Sequence, residues 1–189
     1  TELSQYVEAE ENFRRAISLE PENPGFHNNL GSALEKRAEF EAAVRSHVNA
    51  LKIKPDFAEA KSDLGRCLQY SRFKAREQDL YPTIRDLLYS GYVRPSDICR
   101  GTLSLLKQEP EMGDLLRQPV KADWRPEIVS VVASFEKIPL LYDLMGLTPL
   151  LDAEIERLLS ITRKDLLLEP DQLRLISGVT PFLSALALQ

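Results

Sequence analysis

At 189 residues, 43% hydrophobic and 28% charged, the chain has ample apolar material for a folded core and too much for intrinsic disorder. Its net charge of −5 is spread evenly along its length, and no run of Lys and Arg is interleaved with aromatics, so nucleic acid is not an expected partner. No apolar stretch reaches the roughly 18 residues of a membrane span, no basic-then-apolar leader opens the sequence, and Cys67 and Cys99 are too few and too far apart for a disulfide framework or a metal clip. A reducing, cytoplasmic setting with no membrane contact is expected.

The first predicted helix lies in YVEAEENFRRAISLEP, with Pro21 stopping it, because proline cannot donate the helical hydrogen bond. A second helix carries Phe26, Leu30, Ala33 and Leu34 on one stripe and Asn28, Asn29, Ser32, Glu35 and Lys36 on the face expected to be exposed. FEAAVRSHVNALKIKP reads as the third helix, stopped by Pro55. The fourth turns Ala60, Leu64, Cys67 and Leu68 inward and Glu59, Ser62, Asp63, Arg66, Gln69 and Tyr70 outward.

These segments repeat. At an offset of 34 residues Ala9 aligns with Ala43, Ala16 with Ala50, Pro21 with Pro55, Leu30 with Leu64, Gly31 with Gly65 and Leu34 with Leu68. The coincident residue types are small side chains where two helices must approach and prolines where a helix must stop.

The stretch NNLGSALEKRAEFEAAVRSHVNALKIKPDF, with EAEENFRRAISLEP before it and LGRCL after it, resembles the tetratricopeptide repeat family over residues 4–73. The resemblance implies an all-α solenoid of helical hairpins spanning residues 1–73. It would hold the second helix of a first repeat, whose first helix would lie upstream of Thr1, one full repeat, and the first helix of a third. It also implies a concave groove lined by the first helices, in which Asn28, Asn29, Ser32, Lys36, Ser62, Asp63, Arg66, Gln69 and Tyr70 would contact a protein or peptide. Asn29 precedes Leu-Gly, as do asparagines in glycosyltransferase relatives, where such amides can bond an extended peptide backbone. The family's carboxylate clamp is not reproduced, since Asn28 and Ser62 stand where it places lysines. His27 and His47 replace large apolar or aromatic residues, and each is expected to be a structural, partly buried imidazole rather than part of a catalytic group.

The periodicity ends after Tyr70. Residues 74–90 are expected to form one divergent helix that closes the stack, with Leu80, Ile84, Leu87 and Leu88 inward and Gly91 as terminator. Residues 92–189 are expected to form a non-repeat helical domain. Its helices would start at Ser96, acting as N-cap, run over residues 126–137 with Ile128, Val131, Val132 and Phe135 on one face, then over 140–145 and 152–167, with a last one from near Asp171. Asp152, Glu154 and Glu156 read as a negatively charged helix start, and Trp124 as a packing anchor.

IPLLYDLMGLTPLLDAEIERLLSITRKDLL and the terminal TPFLSALALQ resemble the helical region that, in some bacterial proteins, joins tetratricopeptide repeats to an S-adenosylmethionine-dependent methyltransferase domain. That likeness implies an alternative reading: a substrate-recruiting region whose catalytic domain would lie beyond Gln189. The chain itself has no clustered glycines of the kind that hold such a cofactor, so no cofactor is expected in it, and the spacing of its histidines, cysteines and carboxylates leads to no expected metal or catalytic residue. A third reading, self-assembly into a homo-oligomer, follows from the apolar FLSALALQ.

Overall fold

The structure, a computed structural model, describes residues 2–116, 128–150 and 152–168. Among them every regular element is helical, in the order α1 Glu2–Leu19, α2 Pro24–Lys36, α3 Phe40–Ile53, α4 Ala58–Tyr70, a 3-10 turn Gln78–Leu80, α5 Tyr81–Tyr89, α6 Pro95–Leu106, α7 Pro110–Leu116, α8 Ile128–Glu136, α9 Pro139–Leu147 and α10 Ala153–Leu168. The fold class is the expected one, repeat-type helical hairpins followed by non-repeat helices. No described helix is long and apolar enough to cross a membrane. Trp124, the segment FLSALALQ and the helix expected from Asp171 lie outside the described residues.

The chain divides into two compact units, Thr1–Phe73 with Glu77–Thr102, and Lys74–Arg76 with Leu103–Gln189. Residues 92–102, expected to open the C-terminal domain, therefore cluster with the repeats.

In the first unit α1 packs on α2, α2 on α3, α3 on α4, and α2 also touches α4, the arrangement of stacked hairpins. The contacts are made by small and branched residues: Ala43, Val44, Val48, Ala50, Ala60 and Leu64 have no exposed surface. Helix starts are set locally. Asn23 accepts a hydrogen bond from the Gly25 amide at 3.0 Å, and Pro24 fills the first turn of α2, where its missing N–H costs nothing. The Glu10 carboxylate on α1, almost fully buried, pairs with Arg37 at the end of α2 and ties the first two helices together.

Two expectations for the segment after α4 are corrected. Residues 74–90 are not one helix: Ser71 ends α4 by back-bonding to Cys67, and the chain runs irregularly to the 3-10 turn. Pro82, in the first turn of α5, bars any helical continuation from upstream. The irregular run is held by Glu41, which accepts the Arg72 amide at 2.5 Å, and by a bidentate Arg45–Glu77 pair at 2.6 Å. Leu80, Ile84, Leu87 and Leu88 are buried as expected, with α5 lying against α3, and Gly91 takes the left-handed conformation (φ 75°) just past its end. Ser96 is not an N-cap, because α6 already starts at Pro95; its hydroxyl donates to Asp97 at 3.3 Å instead.

The face of α4 that a third second-helix would cover is met from further along the chain. Gly31 of α2 is covered by His47 of α3, but its repeat equivalent Gly65 is covered by Val93, and the Gly101 Cα lies against the Leu68 backbone. Val93 and Gly101 thus stand against α4 on that face, with Gly101 as the small residue at the close approach.

In the second unit α7 packs on α8, α8 on α9, and α10 on both α7 and α8, around Met112, Val131, Val132, Phe135, Leu141, Leu144, Met145 and Ile155. Asp152 caps α10, accepting from the Glu154 and Ile155 amides at 3.2 Å each, and Lys107 bridges Asp152 and Glu154 at 2.6 and 2.7 Å. Glu109 is buried and paired with Arg76 at 2.9 Å.

Gly101→Ala is expected to lower the unfolding free energy by about 2 kcal/mol or more, since the new methyl group would meet backbone that cannot yield and overpacking outweighs the gain in helix propensity. Gly146→Ala, where nothing lies within 4 Å, is expected to be neutral or to raise it by up to about 1 kcal/mol. Urea titration of both variants checks the opposite signs.

Candidate peptide-binding face

Of the side chains expected on the groove face, Asn29, Lys36, Ser62, Arg66, Gln69 and Tyr70 are exposed, and Ser32 and Asp63 are half-buried. Asn28 is the correction: only 5% of it is exposed. Its position on α2 points toward α3, where His47 is fully buried and needs a polar partner. The Asn28 Oδ1 accepts from His47 Nδ1 at 2.8 Å, and its Nδ2 donates to Asp63 of α4 at a long 3.4 Å. This orientation of the amide is fixed by chemistry, since the reverse would set an amide oxygen against a carboxylate. His47 Nδ1 therefore carries the ring hydrogen.

The network continues to the surface. Arg66 donates through Nε and Nη2 to the two Glu35 oxygens at 2.5 and 2.8 Å, and through Nη2 to Asp63 at 2.7 Å. A bidentate guanidinium–carboxylate pair of this kind joins α2 to α4. Hydrogen bonding to Glu35 holds the Arg66 pKa above its ordinary value. Its charge is neutralised within the face.

Burial pushes the His47 imidazole down to about 4; Arg66 adds to the effect, while Asp63 and Glu35 oppose it. Burial also pushes the Cys67 thiol up to about 12, with Glu35 adding to it, so the group is not a reactive thiolate at neutral pH. His27 is half-buried, with Nε2 2.8 Å from the Pro21 carbonyl, and closes the turn before α2.

Beside this network an open groove of about 420 Å³ runs along α4. Ser62, Arg66 and Gln69 form one wall, and Tyr92, Arg94 and Asp97 belong to the other side. Lys61 lies 5.1 Å over the Tyr92 ring, and Tyr70, half exposed, packs at 5.3 Å against Phe40. The structure thus brings Ser62, Arg66 and Gln69 into one groove, spends Asp63 and Asn28 on internal bonds, and leaves Asn29, Ser32 and Lys36 along α2. Sequence reasoning missed Tyr92, Arg94 and Asp97, which lie beyond the last periodic residue; the only local signal was the turn GYVRPSD.

Residues 1–37 match the family described as TPR repeat. The TPR repeat-containing thioredoxin TTL4 of Arabidopsis thaliana is 39% identical over 59 residues, which is 31% of this chain and 9% of that protein. The chain therefore spans less than a tenth of the length of the relative it matches. No solved structure matches.

The neutral, buried His47 makes stability pH-dependent. Between its ordinary value of 6.5 and about 4 the unfolded chain takes up a proton that the fold does not, so stability falls as pH drops through that window. The loss from this group is expected to be on the order of 3 kcal/mol by pH 4. In metal-free buffer, His47→Gln, which keeps a donor for Asn28, is expected to flatten this part of a denaturation series run from pH 7 to pH 4.

Proposed function

We propose that the α2/α4 face and the groove along α4 bind an extended segment of a partner protein, making this chain a protein-interaction module. Tetratricopeptide repeats generally mediate protein–protein interaction, and the match over residues 1–37 supports the same class of role here. The observation that carries the reading is that Ser62, Arg66 and Gln69 project from one side of α4 into an open groove.

The chemistry of the groove favours hydrogen bonding over charge pairing. Gln69, Ser62 and Asn29 offer neutral donors and acceptors suited to main-chain amides, while Arg66 is already held by two carboxylates. A partner selected mainly for negative charge does not fit this surface. Arg94 and Asp97 add one charge of each sign at the edge, and Tyr92 adds an aromatic wall.

The thioredoxin in the relative's name is not carried over, since Cys67 and Cys99 are both buried and far apart in sequence. Nothing in the described residues favours the reading as a methyltransferase's recruiting region. The cytoplasmic setting stands as part of this proposal.

Peptides selected by display on the intact chain are expected to lose at least about tenfold in affinity, roughly 1.4 kcal/mol, with Ser62→Arg or Gln69→Ala. Ser160→Arg, on the exposed side of α10, is expected to leave calorimetric titrations unchanged. Equal affinity for all three variants would rule out this groove.

A further inference from the structure

Behind the groove face, three helices each contribute one metal-ligating side chain to a single point. Glu35 of α2, His47 of α3 and Cys67 of α4 offer a carboxylate oxygen, an imidazole nitrogen and a sulfur that all lie within 4.8 Å of one another. We propose that Glu35, His47 and Cys67 form a site for one borderline-soft divalent cation, with zinc(II) the ion of matching chemistry.

The His47 ring carries the first argument. Its Nδ1 hydrogen is donated to Asn28, which leaves Nε2 as a bare lone pair; that atom is fully buried and has no hydrogen-bond partner among the described residues. An unpaired buried acceptor is costly in a low-dielectric interior. The same tautomer is what a metal requires, with one ring nitrogen fixed by an amide oxygen and the other presented to the ion. Gly31 makes this ring position available, because a Cβ there would lie 2.5 to 2.8 Å from the imidazole atoms.

The ligand set carries the second. Sulfur, imidazole nitrogen and carboxylate oxygen together suit zinc and disfavour magnesium and calcium, which take oxygen ligands alone. A tetrahedral zinc ion with bonds of about 2.0 to 2.3 Å sets its ligand atoms about 3.3 to 3.8 Å apart, so the three groups close by side-chain shifts of roughly 1 Å. Three protein ligands leave a fourth position for water or another donor.

Charge agrees. Glu35 and Asp63 with Arg66 leave one net negative charge beside the site. On binding, the Cys67 S–H proton leaves to solvent and the sulfur–metal bond forms in its place, so the charges of cation, thiolate and Glu35 nearly cancel. Arg66 holds the Glu35 carboxylate through lone pairs that leave others free for a metal. A nucleophilic role for the Cys67–His47 pair is less suited to the geometry, because neither side chain has any exposed surface for a substrate to reach.

Such an ion would join α2, α3 and α4 at the core of the first unit. The test uses the intact chain, stripped by chelator and kept reduced with a non-thiol reductant. Cobalt(II) titration is expected to give a sulfur-to-cobalt charge-transfer band and tetrahedral visible bands saturating at one equivalent, lost when zinc(II) is added. Cys67→Ser is expected to abolish the charge-transfer band, and both Cys67→Ser and Glu35→Gln to weaken zinc(II) at least tenfold, with circular dichroism reporting that each variant is folded. Cys99→Ser is expected to keep the band. Zinc(II) at a hundredfold excess over its Kd is expected to raise the wild-type Tm by roughly 5 °C or more. The proposal is overturned if the wild type shows no sulfur band with cobalt(II), if that band survives Cys67→Ser, or if it disappears with Cys99→Ser instead.

Discussion

How near two helices can lie is set by the smallest side chains between them, and in this chain one position does most of that work. Gly31 lets α3 bring a whole imidazole ring over the backbone of α2. Once His47 is there it is sealed from solvent, and a sealed polar ring needs a partner. Asn28 turns inward to supply one, Asp63 meets the other end of the Asn28 amide, Arg66 holds Asp63, and Glu35 holds Arg66. A single close approach between α2 and α3 thus organises the polar chemistry of α4 as well. The same register at Gly65 receives Val93, an apolar group with no such demand.

Much of this architecture was legible in the sequence, for a reason rooted in packing. Ala43, Ala50, Gly31, Gly65 and the prolines at 21 and 55 recur because successive hairpins must nest at a fixed spacing. Side chains that meet that need betray themselves by their period. The groove residues Ser62, Arg66 and Gln69 follow from it too, as polar positions on the outward face of a first helix. Asn28 was misread because amphipathic reasoning sends polar residues outward, whereas here a buried imidazole on the neighbouring helix reverses the preference. Only the pairing of Asn28 with His47, a tertiary fact, could have shown it.

The departures after Tyr70 have the same character. Pro82 was visible, and it does stop helix from extending back toward Lys74; what was not visible is that α6 reaches α4 through Gly101. A glycine twelve residues beyond the helix that packs on α3 announces no repeat, because its partner is a stretch of backbone and not a matching side chain. Helix α7, Pro110–Leu116, is too short to establish a period, and its cue was the Glu109–Pro110 start with Met112 and Leu115 turned inward. Glu35, His47 and Cys67 come from three separate helices, so no spacing rule for metal ligands joins them.

Arg66 decides what kind of surface the repeats present. An arginine projecting from the first helix of a repeat would ordinarily be read as a grip for acidic groups. Here Nε and Nη2 are both committed to carboxylates of the same fold, and the hydrogen bonding that raises its pKa is the measure of that commitment. Breaking the bidentate pair to seize a ligand's carboxylate would strand Glu35, 13% of whose side chain is exposed, without its counter-charge. The guanidinium is therefore better regarded as a strut between α2 and α4 than as a receptor. On the proposed reading, that leaves the neutral groups around it, Ser62 and Gln69, to meet a partner by hydrogen-bond geometry, a mode that would tolerate varied side chains and select for extended backbone.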